Sequence, residues 1–192
     1  MNKVLYIIDE NEKTNYQYNI CEDTVIYHFA INSSSNVEIN LLTEGTTLYY
    51  YYSNINYKNN SLNIQVNHKE SNTHSELFNH GVNVKEGNLE YYVEGIVPKN
   101  CSQCICNQEN QIMNMMNGKS TIFPNLLIDN YDVNSNHSAY IGKPSEEKLF
   151  YMMSRGLTKE EASHLILNGF LINSDSIDLS KIERFVKEIK KI

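Results

Sequence analysis

The chain has 192 residues, with 16 Lys+Arg against 23 Asp+Glu and a formal net charge of −7. That length suits one domain, or one domain with a small appendage. The acidic balance argues against a nucleic-acid partner, because no basic stripe is present to displace counterions from phosphates. With 41% hydrophobic residues and 14 Tyr, the chain can bury a core and is not a disordered acidic tail.

From the start to about Lys143-Pro144 the pattern is short and alternating. The opening apolar run, Val4 to Ile8, is too short for a secretory signal core or a membrane span. A cytoplasmic protein is therefore expected, with Cys21, Cys101, Cys104 and Cys106 as reduced thiols. Further strand-like runs follow at Thr24–Ala30, Val37–Leu41, Leu48–Tyr52, Leu62–Val66, Val82–Val84, Leu89–Val93, Cys104–Cys106, Leu126–Ile128 and Ala139–Ile141. Each is about 3–7 residues, with Asn, Ser or Gly between them. The runs Val37/Ile39/Leu41 and Leu62/Ile64/Val66 have strict period two. Asn117-Gly118 is the one Asn-Gly pair that falls between alternating runs, so hairpin turns are scarce. The 28 Asn tolerate left-handed bends and can stack amides between strands. Short strands at even spacing leave a sandwich, a barrel or a β-solenoid open.

The last 49 residues have a helical period. Ser145 can cap a first helix carrying Leu149, Phe150, Met152 and Met153, ending at Gly156. Thr158 and Glu161 form a capping box for a second helix, for which Asn168-Gly169 reads as the stop. A third helix begins near Asp178 or Ser180, with a stripe of Ile182, Phe185, Val186, Ile189 and Ile192. The organisation expected is a β core over 1–143 and a helical, partner-binding segment over 144–192.

The segment Leu149-Phe150-Tyr151-Met152-Met153-Ser154-Arg155-Gly156-Leu157, then Glu161-Ala162, Leu165-Ile166 and Gly169-Phe170, resembles the hallmark of the SufB/SufD family of iron–sulfur cluster assembly scaffolds. Upstream, Gly95-Ile96-Val97, Gln108 and Asn110, Pro124, Leu126 and Ile128, Asp132-Val133, and His137, Ala139 and Gly142 follow family patterns in order. The resemblance covers about residues 78–171 and is loose before that. It implies an all-β fold, a right-handed parallel β-helix, with a small C-terminal α-helical region, here as a short, core-only member. It also implies a non-enzymatic scaffold that acts with a SufC-like ABC ATPase, held through the helical part, and pairs with a SufB-like scaffold or with itself.

By the same resemblance, His137 falls on the SufD-type cluster ligand. The place of the SufB-type Glu is Ser138. The SufB-type Cys stretch is here Gly118 to Pro124, without Cys, and a Cys often found in SufD-type members is Ser135. Any cluster would be transient, with most thiolates supplied by a partner. Cys101, Cys104 and Cys106 are soft ligands at short spacing, but a closed metal site needs four. Packing inside the core competes with ligation for them and is favoured by how often Cys is buried. They could bind only if the strand turned them outward. Phe150, Tyr151, Ser154, Arg155, Gly156 and Phe170 are the partner-binding candidates. His28, His68, His74, His80 and His164 match no functional position.

The rival reading is a carbohydrate-binding solenoid or sandwich with a Tyr-rich face. On a strand Tyr49-Tyr50-Tyr51-Tyr52 splits two in and two out, which limits such a platform. The sequence carries no phosphate-binding G-x-x-x-x-G-K-S/T, no G-x-S-x-G and no H-E-x-x-H.

Overall fold

The computed structural model describes residues 2–174 and 176–192. Its strands are β1 (Lys3–Glu10), β2 (Lys13–Ile20), β3 (Thr24–Ile31), β4 (Ser34–Leu41), β5 (Thr47–Asn56), β6 (Asn60–His68), β7 (His74–Asn83), β8 (Asn88–Val97), β9 (Cys104–Asn114), β10 (Lys119–Ile128) and β11 (Val133–Gly142). Odd-numbered strands form one six-stranded sheet and even-numbered strands a five-stranded sheet. Every pairing is parallel. The chain therefore alternates between the two sheets as it climbs, which is a β-solenoid, as the resemblance implies. Helices α1 (Glu146–Ser154), α2 (Lys159–Leu171) and α3 (Glu183–Ile189) follow, α3 being entered through a 3-10 turn at Leu179–Ile182.

Side-chain alternation sorts each strand into inward and outward rows. The space between the sheets is filled by Ile26, Ile39, Leu41, Leu48, Tyr50, Tyr52, Leu62, Ile64, Val66, Leu77, Leu89, Tyr91 and Val93, all buried. Each such side chain contributes roughly 1.5–3 kcal/mol by leaving water. The Tyr49–Tyr52 run splits as alternation requires, with Tyr50 and Tyr52 inside and Tyr49 and Tyr51 on the outer face.

Asparagine does two jobs here. At corners, Asn11, Asn32 and Asn72 take positive φ, which costs Asn less than most residues. Along the outer face of the five-stranded sheet, amides bond from coil to coil. Asn36 donates to Asn15, 21 residues away, at 2.8 Å, and Asn63 donates to Asn36, 27 residues away, at 2.8 Å. Asn40 and Asn67 extend a second such ladder from Asn19.

Three sequence expectations need correction. The strands run to 8–11 residues, not 3–7, because polar rows continue them: Val82 belongs to the tail of the ten-residue β7, which ends at Asn83. Strand β2 was not expected, yet Thr14, Tyr16, Tyr18 and Ile20 alternate inward with Lys13, Asn15, Gln17 and Asn19 outward. Helix α2 passes through Asn168-Gly169 and stops at Leu171. The Ser145 cap and the Thr158–Glu161 capping box form as read.

Helices α2 and α3 pack onto the outer face of the six-stranded sheet. Leu167, Leu171, Ile182, Phe185 and Ile189 share a cluster with Tyr27, Phe29, Ile31, Ile55, Val82 and Met113. Phe29 and Phe185 meet at a centroid distance of 4.8 Å. Among the described residues no helix is long and apolar enough to cross a membrane.

Candidate functional site

The solenoid's last coil is built from β10 and β11, each the terminal strand of its sheet. A terminal strand leaves one row of backbone N–H and C=O groups unpaired. On β10 that row is interrupted by Pro124, which has no N–H to give. β11 has no proline.

His137 lies on β11 opposite Gln108 of β9. Following the register back gives the row Leu5, Ile26, Tyr50, Leu77, Gln108, His137, which lines the interior. His137 is nevertheless exposed, because no further strand covers the row. Beneath it Gln108 is buried, donating to the Asn125 carbonyl at 3.0 Å, with its side-chain oxygen unpartnered. Ser135 sits two residues along the same face, over buried Cys106. Ser138 takes the opposite face, across from Glu109. Large apolar side chains stand exposed around this coil: Phe123, Leu127, Tyr131, Tyr140 and Ile141.

Cys101, Cys104 and Cys106 do not turn outward. They are buried together with Val97 and pack against Leu126, Ile128 and Val133. The Cys101 thiol donates to the His68 carbonyl and the Cys104 thiol to the Glu70 carbonyl, each at 3.6 Å. Burial pushes the Cys106 thiol up to about 11 and raises Cys101 as well. These thiols stay protonated at neutral pH, and the thiolate is the form that ligates metal. Nearby His68 spends both ring nitrogens on Thr73 and Ser75, and burial lowers it to about 4. Among the described residues no group of three His, Cys, Asp or Glu is placed to hold a metal ion. Cys21 is exposed and remote in sequence from the three.

The second feature is the α1–α2 hairpin. No residue of α1 is buried, and Phe150 is 74% exposed, with Tyr151, Met153 and, on α2, Leu165 also exposed. Arg155 ends α1 and lays its guanidinium over the Tyr151 ring, 5.2 Å from the centroid. Ser154 donates to the Tyr151 carbonyl at 2.7 Å, and Gly156 takes a φ of +99°, open to glycine without strain. Phe150, Tyr151, Ser154, Arg155 and Gly156 are thus gathered at one helix end. Phe170 is not with them. Its ring faces the sheet and stacks on His80 at 4.8 Å, so its first role is to seat α2.

A third cluster was not legible beforehand. Inside the first coils Asp9 accepts from His28 Nε2 at 2.7 Å, Tyr16 Oη at 2.6 Å and Thr14 Oγ1 at 2.7 Å, while His28 Nδ1 meets Tyr50 Oη at 2.7 Å. Asp9, His28 and Tyr50 are all buried, so this network holds coils together and has no access to a substrate. Finding it requires the 21-residue register between β1 and β3, which no local motif announces.

The outer tyrosines are not a free stacking platform. Tyr27 stacks on Tyr51 at 5.2 Å and Tyr51 on Phe78 at 5.0 Å, so the rings use their faces on one another.

Residues 20–170 match the family model described as "SUF system FeS cluster assembly, SufBD core domain". The iron–sulfur cluster assembly protein SufD of Bacillus subtilis is 32% identical over 121 residues, covering 58% of this chain and 28% of that protein. The SufB protein of the same organism is 40% identical over 77 residues, 39% of this chain and 14% of that protein. A SufBD family protein of Pyrococcus horikoshii is 48% identical over 66 residues, 34% of this chain and 14% of the relative. The chain thus spans less than a third of these relatives.

Proposed function

Because the chain belongs to the SufB/SufD family through its core domain, we propose that it is a scaffold or accessory subunit of iron–sulfur cluster assembly, SufD-like and not itself an enzyme. The observation that carries this reading is His137. It occupies an interior row that no further strand covers, on an edge strand that is free to pair with another scaffold. The exposed apolar residues around that coil support an interface there.

The chemistry divides between subunits. A neutral imidazole can supply one ligand to iron. The remaining positions need thiolates, and the three clustered cysteines are enclosed, with burial raising the Cys101 and Cys106 thiols. A partner scaffold, SufB-like or a second copy, therefore brings most of the sulfur ligands, and the cluster is cargo that passes through. The chain carries no phosphate-binding loop, so nucleotide hydrolysis belongs to a SufC-like ATPase. The exposed end of α1, with Phe150, Tyr151, Ser154, Arg155 and Gly156, is the face offered to it. We place the assembly in the cytoplasm. The carbohydrate-binding reading has less support, since the tyrosine faces are occupied by one another.

The test is affinity purification from the native cell, with identification of the co-purifying subunits. Recovery of an ABC-type ATPase without membrane spans together with a SufB-type scaffold is the expected result. Recovery of neither overturns the proposal.

A further inference from the structure

Helix α2 ends against the six-stranded sheet, and the sheet supplies its C-terminal cap. Ser53 on β5 and His80 on β7 are register partners on the outer face. The Ser53 hydroxyl donates to the Leu171 carbonyl at 2.6 Å, and His80 Nδ1 lies 2.7 Å from the Phe170 carbonyl oxygen. These are two of the carbonyls a helix end leaves without partners. The cap explains why Gly169 does not stop the helix.

On its other side the His80 ring meets Glu109 of β9, with Nε2 2.9 Å from a carboxylate oxygen. A carbonyl and a carboxylate both accept, whereas a neutral imidazole has one N–H to donate. Either neutral tautomer would turn a bare nitrogen lone pair on an acceptor. Asn173 makes the same demand. Its amide lies 3.3 Å from Nδ1 while its own side-chain oxygen is buried without a partner. Turning the amide over, an exchange of two atoms nearly alike in shape, gives that oxygen a donor in Nδ1–H. Two further contacts favour positive charge on the ring: the end of the α2 dipole and the stacked Phe170 ring, 9° from parallel.

We propose that His80 carries a proton on both ring nitrogens, and that this imidazolium is a proton-dependent latch fastening the helical region to the solenoid. Glu109 is the charged group that meets it. Ser53 on β5, Gln111 on β9, Phe170 of α2 and Asn173 beyond it are uncharged, and Tyr140 is one strand further along the row. Loss of one ring proton turns one of the two bonds into an acceptor facing an acceptor. α2 then loosens and carries α1, which packs on it and has no buried residue of its own.

The test has two parts. Nitrogen-15 NMR of the histidine rings at neutral pH should show both nitrogens of His80 protonated, the signal being assigned by its loss in His80→Gln. Protection of the α2 amides from hydrogen exchange, corrected for the intrinsic rate, should fall about tenfold in the wild type as pH rises and the ring loses a proton, the size expected for losing one charge-assisted bond, and should not fall in Glu109→Gln, whose amide can donate to a neutral ring. A neutral tautomer in the wild-type spectrum, or α2 protection that does not change with pH, overturns the latch. If His80→Gln does not fold, the same signal is assigned by nuclear Overhauser contacts of the ring to the stacked Phe170, and the wild-type spectrum still decides the protonation.

Discussion

Asp9 and His28 lie 2.7 Å apart on neighbouring strands, both buried, in the first two coils of the solenoid. Burial alone pushes the Asp9 carboxyl up. Hydrogen bonds from His28 and Tyr16 outweigh that, and the group settles at about 2 against a usual value of 3.8. A depressed carboxyl adds stability above its unfolded value and loses it as pH falls toward the folded one. Urea unfolding should therefore show wild-type stability dropping between about pH 4 and pH 2 more steeply than in Asp9→Asn. At neutral pH, Asp9→Asn should cost about 3–5 kcal/mol, because it strands a buried partner. A cost under 1 kcal/mol would show that the network is not what ties the first coils.

His137→Ala should leave the fold alone. The side chain is exposed, so its stability should match wild type within about 0.5 kcal/mol. Reconstitution with iron, sulfide and the partner subunits should nevertheless give lower cluster absorbance. Equal loading in an intact complex would remove the ligand role.

Phe150→Ala combined with Tyr151→Ala separates binding from folding. Neither side chain is buried, so melting should be nearly unchanged. ATPase capture should weaken about 30-fold or more if either residue is a hot spot of about 2 kcal/mol. Undiminished capture would move the docking face elsewhere.

The four thiols should titrate in two classes. Cys21 is exposed and should react at once with a thiol reagent, whereas Cys101, Cys104 and Cys106 should react only on unfolding. Fast modification of all four in the native protein would contradict their burial.

The helical region was the most legible part of the sequence, because its signals are local: a capping box and a 3.6-residue stripe lie within a few residues of each other. The solenoid was less so. Its partners are 21–31 residues apart, and an alternating strand looks the same in a sandwich. β2 was missed because its inward set is Thr14, Tyr16 and Tyr18, which read as polar until their neighbours are known. His137 is expected to be exposed because it lies in the final coil, where strands go unpaired, and because Asn134, Ser135, Asn136 and Ser138 are polar. The first reason is the one that holds, since His137 is an interior position whose row no further strand covers. His80 read as ordinary, since the carbonyl and carboxylate that bracket it come from 90 and 29 residues away.

The return of α3 to the first strands changes how the molecule can come apart. A stack of coils bonded only to neighbours would fray from its outermost coil inward. Here Arg184 is bonded to Glu10, 174 residues away, and Phe185 covers Phe29 on β3. The segment that follows the last coil is thus the lock on the first one. Opening at the β1 end must wait for α3 to lift, so the two ends of the stack are coupled, and a disturbance at the helices is felt at the coil farthest from β11.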